Sequence, residues 1–173
     1  MKSGVTGAGA GVAGVTPPKR IGDENLAKAS LRFSRLKIIT PSDAARLKEL
    51  AYLLDKGASF NVRLLRRSVR DGVTRIFVLR REERIAASAT AVVFSTPTGR
   101  HCRIEDVVVD GTLRGLGLGR EIMTRTLAAL AKEGIEDVEL TSRPSRLAAQ
   151  ALYRSLGFEK RETDVFKLQL NSD

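Results

Sequence analysis

The chain has 173 residues, 42% of them hydrophobic and 29% charged, a balance that fits one globular domain and excludes a disordered or fibrous protein. One cysteine, Cys102, and one histidine, His101, exclude an internal disulfide framework and a Cys/His zinc site, and fit a reducing, cytoplasmic compartment. The formal charge of +10 favours anionic ligands, but with 5% aromatic residues and no tryptophan, bases have little to stack on and nucleic acid is not the expected partner.

In chain order, residues 1–34 read as a flexible, basic, Gly/Ala-rich leader and residues 35–173 as the folded domain. The leader runs through Pro17-Pro18-Lys19-Arg20, and residues 1–35 supply +4 of the net charge. Five glycines in its Ala/Gly/Val run, without a cleavage-site pattern, argue against a signal peptide. No apolar run approaches the ~20 residues that span a bilayer, so no membrane partner is expected.

Leu36-Lys37-Ile38 alternates as a strand does. Thr40-Pro41-Ser42-Asp43 is a helix start, with a capping hydroxyl, proline at the first helical position and acid in the first turn. Leu47, Leu50, Ala51 and Leu54 give that helix its apolar face, and Gly57 closes it. A second helix is predicted over residues 61–70, with Leu64, Leu65 and Val69 inward and Arg63, Arg66, Arg67 and Arg70 outward. Those arginines have two readings, a solvated face or one wall of an acceptor pocket.

Strands are predicted at 75–79, 85–94 and 102–109, joined by hairpin turns at Arg81-Glu82-Glu83 and Thr96-Pro97-Thr98-Gly99. A helix with Ile122, Met123, Leu127, Leu130 and Ala131 on one face follows, then a strand over 135–141. Pro144 opens a last helix carrying Leu147, Ala148, Ala151, Leu152 and Leu156. Phe166, Leu168 and Leu170 alternate as a terminal strand. The order β-α-α-β-β-β-α-β-α-β predicts an α+β sheet with helices on its faces.

The segment Arg114-Gly115-Leu116-Gly117-Leu118-Gly119 lies between a strand and a helix. The first amides of a helix lack partners within it and sit at the positive end of its dipole, so this arrangement collects anions. A dinucleotide fingerprint needs G-x-G-x-x-G, and the spacing here is G-x-G-x-G. A triphosphatase loop ends in Gly-Lys-Ser/Thr, whereas Gly119 precedes Arg120-Glu121. A glycine-rich turn built for packing alone is the remaining plain reading.

The R-x-x-G-x-G pattern resembles the coenzyme A pyrophosphate motif of the GNAT superfamily of N-acetyltransferases. Ile104-Glu105-Asp106-Val107-Val108-Val109-Asp110 resembles that family's fourth strand. Ala148-Ala149-Gln150-Ala151-Leu152-Tyr153-Arg154-Ser155-Leu156-Gly157-Phe158 resembles its last helix, ending in Y-x-x-x-G-F. The match is firm over residues 101–170 and extends to 35–100 in element order. It implies a central, mostly antiparallel twisted sheet of about six to seven strands flanked by about four helices.

The resemblance also implies roles. The pantetheine arm of acetyl-CoA is expected along Val107, Val108 and Val109, and the diphosphate on Arg114, Gly115, Leu116, Gly117, Leu118, Gly119 and Arg120. Tyr153 holds the position that protonates the departing thiolate. Glu105 is the candidate base or substrate contact, and Asp106 a second substrate contact. By alternation Glu105 is expected to share a face with Val107 and Val109. The I-E-D-V-V-V run resembles that of glucosamine-phosphate acetyltransferases, where this part of the strand touches the sugar. Ser142 or Arg146 stands where many relatives place an asparagine for the arm. His101 and Cys102 read as strand residues, because direct transfer needs no covalent intermediate. The expected activity is acetyl transfer to an amine of a small molecule or a protein, with no metal; the alternative is a non-catalytic acyl-CoA sensor. Dimers are common in related proteins, and a homodimer is an expectation on that ground.

Overall fold

The protein is described over residues 31–170 by a computed structural model. β1 (Leu31–Leu36), β2 (Thr74–Arg81), β3 (Arg84–Thr96) and β4 (Gly99–Val109) are antiparallel neighbours, and β5 (Asp137–Leu140) adds to β4 in parallel. The helices are α1 (Pro41–Leu54), α2 (Val62–Arg70), α3 (Leu118–Lys132) and α4 (Leu147–Ser155). The parallel step needs a crossover, and α3 provides it.

The sheet is covered on both faces, so β2 is an unbroken apolar run, Ile76-Phe77-Val78-Leu79, rather than an alternating one. Phe77 and Leu79 enter one core with Ile122, Met123 and Leu130 of α3. Ile76 and Val78 enter the other with Leu47 and Leu50 of α1 and Val69 of α2. The start of α1 forms as expected: the Asp43 amide donates to Thr40 Oγ1 at 3.1 Å, and Pro41 occupies the first turn. The far end of α3 is tied to the sheet through Glu133, which accepts from Arg75 at 2.6 Å and Arg35 at 3.0 Å.

Several expectations are corrected. β1 lies at 31–36 rather than 36–38; Ile38 is left exposed past its end, and residues 31–34, assigned to the leader, form most of it. The rest of the leader lies outside the described residues. Among the described residues the sheet has five strands rather than six to seven, because residues 166–170 form none. Alternation marks an apolar stripe, but a strand also needs a neighbour's N–H and C=O groups, and Phe166 is 93% exposed. Leu64 faces solvent while Val62, Leu65 and Val69 point inward, the spacing of one helix face. α4 begins at Leu147, after Pro144 and its own N-cap Arg146.

Asp43 is buried and paired with Arg80. Burial alone would raise its carboxyl, but hydrogen bonds from Arg80 and Thr40 outweigh that and hold it below the ordinary value. A carboxyl depressed in the folded state stabilises it above the unfolded pKa, about 3.9, and loses that contribution as pH falls through the folded value. In urea melts the stability advantage of wild type over Asp43→Asn is therefore expected at about pH 5 and above, and shrinks toward about pH 3. A gap that stays constant across this range would contradict the pairing.

Candidate active site

β4 and β5 pair over a short stretch, His101 to Asp137 through Ile104 to Leu140. Beyond that register the pairing ends, and the cause lies in β4. Thr90 of β3 pairs with Glu105 and Ser88 with Val108, so Ala89 alone opposes Asp106 and Val107. Asp106 takes up the extra residue in a left-handed conformation, φ 50°. This is a bulge, which bends a strand and re-aims its side chains.

The bulge inverts the parity of the strand. Cys102 and Ile104 belong to the core under α3, and so do Val107 and Val109, while Val108 belongs to the opposite core. Glu105 therefore lies on the face opposite Ile104, and not on the face of Val107 and Val109 as unbroken alternation predicts. Val108 offers a ligand only its backbone.

Where the strands part there is a cavity of about 400 Å³. Ile104, Glu105, Asp106 and Val107 form one wall, and Leu140, Thr141, Ser142 and Arg143 the other. Tyr153 reaches in from α4 beside Arg146, and Leu54 and Asp55 border it from the end of α1. Of the expected site residues, this cavity unites Glu105, Asp106, Val107, Ser142, Arg146 and Tyr153. Leu54, Asp55, Arg143 and Val165 also line it. They carry no motif, since a helix end and a tail are brought here only by tertiary packing.

Burial, and then the charge of Asp106, pushes the Glu105 carboxyl above its ordinary value. Asp106 is raised by burial too, against the opposing charge of Arg146. Burial likewise raises the Tyr153 phenol, with Arg146 again opposing. The Tyr153 ring meets Phe158 edge-on at 5.9 Å between centroids. Arg146 is anchored by donating to the Leu54 carbonyl at 3.2 Å. The Ser142 hydroxyl is buried in this wall with no hydrogen-bond partner, a cost that a bound polar group would relieve.

The glycine loop begins where β4 ends. Asp110 accepts from the Thr112 amide at 2.9 Å, which, with Arg46 alongside, lowers its carboxyl and fixes the short turn Gly111–Leu113. Gly115 and Gly117 then adopt φ of 78° and 77°, left-handed angles that a Cβ disfavours. Gly117 caps α3 with no side-chain bond to its first turn. Gly119 serves packing instead: a Cβ there would stand 3.3 Å from Leu152 of α4. Arg120 donates to Ser155 at 2.6 Å, and Arg114 is exposed.

The other candidates lie elsewhere. Arg66 donates to the Ile39 carbonyl and Arg67 pairs with Asp71, so the arginines of α2 do not enter the cavity. His101 bridges Thr96 and Asp137 at the sheet surface. Cys102 is fully buried, its thiol pushed up to about 11 by desolvation, so it is no nucleophile near neutrality. A second hollow, of about 360 Å³, lies by the β2–β3 turn; its Arg84 is within ion-pair distance of Glu49 and Asp110.

A mostly antiparallel sheet that opens at one parallel pair, beside a glycine-led helix, is the architecture that the family resemblance implies. The chain matches the model of the Acetyltransferase (GNAT) family over residues 45–158, more than half its length, and belongs to that family. Among curated proteins it is 29% identical over 92 residues to human N-acetyltransferase 8B, a match covering 52% of this chain and 40% of the relative. Among solved structures it resembles the aminoglycoside acetyltransferase meta-AAC0020 from an uncultured soil metagenomic sample, in complex with sisomicin. The TM-score is 0.74 at 19% identity, covering 83% of this chain and 99% of that one. A predicted acetyltransferase of Clostridium acetobutylicum with acetyl-CoA superposes with a TM-score of 0.61 at 18% identity, covering 82% and 96%. At these identities the likeness is one of fold.

Two substitutions check the local accounts. Ser142→Ala removes a buried orphan hydroxyl and is expected to leave the unliganded protein as stable as wild type, or more stable by up to about 1 kcal/mol, in urea melts. Gly117→Ala forces a Cβ into a left-handed angle and is expected to cost about 1–2 kcal/mol. A destabilised Ser142→Ala or a neutral Gly117→Ala contradicts the geometry.

Proposed function

We propose that the protein transfers an acetyl group directly from acetyl-CoA to a primary amine, within a ternary complex of enzyme, thioester and acceptor. The observation that carries this reading is the meeting, in one cavity, of a carboxyl with raised proton affinity, a half-buried phenol and an unpaired strand edge. The neighbour solved with acetyl-CoA and the one solved with sisomicin support the choice of donor and of amine chemistry.

The fit to the donor is local. Past Ile104, β4 has no β5 partner, so the backbone of residues 107–109 can pair with the amides of a pantetheine arm as an added strand would. The Ser142 hydroxyl, without a partner in the opposite wall, supplies a further bond. The first turn of α3, uncapped by any side chain and approached through glycines, suits the diphosphate, with Arg114 and Arg120 beside it. Bonds from amides to charged oxygens contribute about 1.5–3 kcal/mol each.

Attack requires a neutral amine, and most aliphatic amines are protonated near neutrality. Glu105 takes the amine's proton, directly or through a water, and its raised proton affinity makes it a better base than an exposed glutamate. As the new N–C bond forms, the C–S bond breaks, and Tyr153 donates its proton to the departing sulfur. Burial raises the phenol further, so it stays protonated until that moment.

Thiol release is the measurement. Tyr153→Phe is expected to lower kcat by about 10²–10⁴ with acetyl-CoA affinity retained. A base must be deprotonated, so kcat/KM falls on the acid side through the raised pKa of Glu105, and Glu105→Gln is expected to remove that limb along with most of the rate. Gly117→Asp sets a carboxylate where the diphosphate sits and is expected to abolish acetyl-CoA binding in calorimetry. Unchanged turnover in Tyr153→Phe, or intact binding in Gly117→Asp, would overturn the reading.

A further inference from the structure

On the face of the sheet that carries Glu105, the odd positions of β4 meet β5 in matched pairs. His101 stands in register with Asp137, and Arg103 with Glu139. Each rung joins a basic group to an acid. The His101 Nδ1 lies 3.2 Å from Asp137, and Arg103 donates through Nε and Nη2 to one Glu139 oxygen at 3.0 and 2.5 Å. The next odd position is Glu105, and there the strands have parted. Its carboxyl makes no hydrogen bond or ion pair with another side chain among the described residues.

Arg103 therefore stands between two carboxylates, Glu139 across the sheet and Glu105 two positions along its own strand, about 7 Å away at the backbone. Thr90, Ala91 and Val92 of β3 pair in unbroken register with Glu105, Ile104 and Arg103, so the bulge does not separate the two side chains. The guanidinium is turned to Glu139, and its Nη1 donates to nothing among the described residues. Arginine carries donors along both edges of a planar fork. Without Glu139, the same fork can reach Glu105, the next carboxylate along this face of β4.

Resting on the transferase reading above, we propose that Glu139 is a positioning residue for the base: by holding Arg103 it keeps the Glu105 carboxylate free to receive the amine's proton. The charges around Glu105 agree with this in sign. Burial and then Asp106 raise its proton affinity, Arg103 opposes them, and Glu139 counters Arg103. Of the other charged or titratable groups at the cavity, Arg146 acts on Asp106 and Tyr153, while Asp55 and Arg143 are exposed at its border. The pair itself is half-exposed, with side chains 47% and 41% accessible, so its removal does not threaten the core.

Two measurements on the full chain test this: thiol release against pH, and titration of the Glu105 carboxyl by carbon NMR, its resonance assigned through Glu105→Gln. In Glu139→Gln the freed Arg103 turns to Glu105. The Glu105 titration and the acid limb of kcat/KM are then expected to move down by about half a pH unit, the size of one partly exposed pair. Near neutrality kcat/KM is expected to fall about fivefold. Adding Arg103→Gln to Glu139→Gln is expected to restore rate and titration together, and Glu139→Asp to keep both near wild type. An ion pair that only braces the strands predicts a double variant no better than the single one. A Glu139→Gln protein with rate and titration unmoved, or a double variant that does not recover, overturns this proposal and leaves the transferase reading intact. A titration that shifts and recovers as expected, with no thiol release by wild type on a panel of amines, overturns the transferase reading and with it the role of Glu139.

Discussion

One residue in a left-handed backbone angle sets the arrangement of this molecule. Asp106 inserts itself against Ala89 and bends β4, and the parallel pairing with β5 stops two residues before it. A sheet that continued to pair would bury this edge and leave no room for a ligand. Here the backbone groups beyond Ile104 keep one side unclaimed, and the space opened between the strands is walled by both cores. The angle is costly for a residue other than glycine, and such strain persists only where its surroundings dictate it. β3 on one side and the two-sided core supply that constraint.

The same bulge divides labour within a run of seven residues. Upstream, even positions face the α3 core; downstream, odd positions do. Glu105 and Asp106 fall at the reversal, so both reach the cavity although they are adjacent in sequence. Their proximity has an electrostatic result, since each carboxyl lies in a partly dry space and Glu105 also feels the charge of Asp106. Proton affinity is thus shaped by backbone geometry as much as by the residues chosen.

The glycine loop was legible because its signal is local. Left-handed angles at Gly115 and Gly117 and close packing at Gly119 each require the residue that is there. The cap at Thr40 was legible for the same reason. The side on which Glu105 lies was not, because a bulge is written in the pairing of two strands rather than in either one. Asp55 had no signal, since nothing in a helix terminus says what packs above it. The tail misled because alternation at 166, 168 and 170 looks the same whether or not a neighbouring edge is present.

A side chain at position 119 of α3 would meet Leu152 of α4, its Cβ 3.3 Å away, and Leu152 precedes Tyr153 in the chain. The loop proposed to seat the donor's phosphates and the phenol proposed as the acid are thus linked through one contact. A methyl group added at position 119 would require Leu152 to give by a few tenths of an ångström, directly beside Tyr153 in the chain.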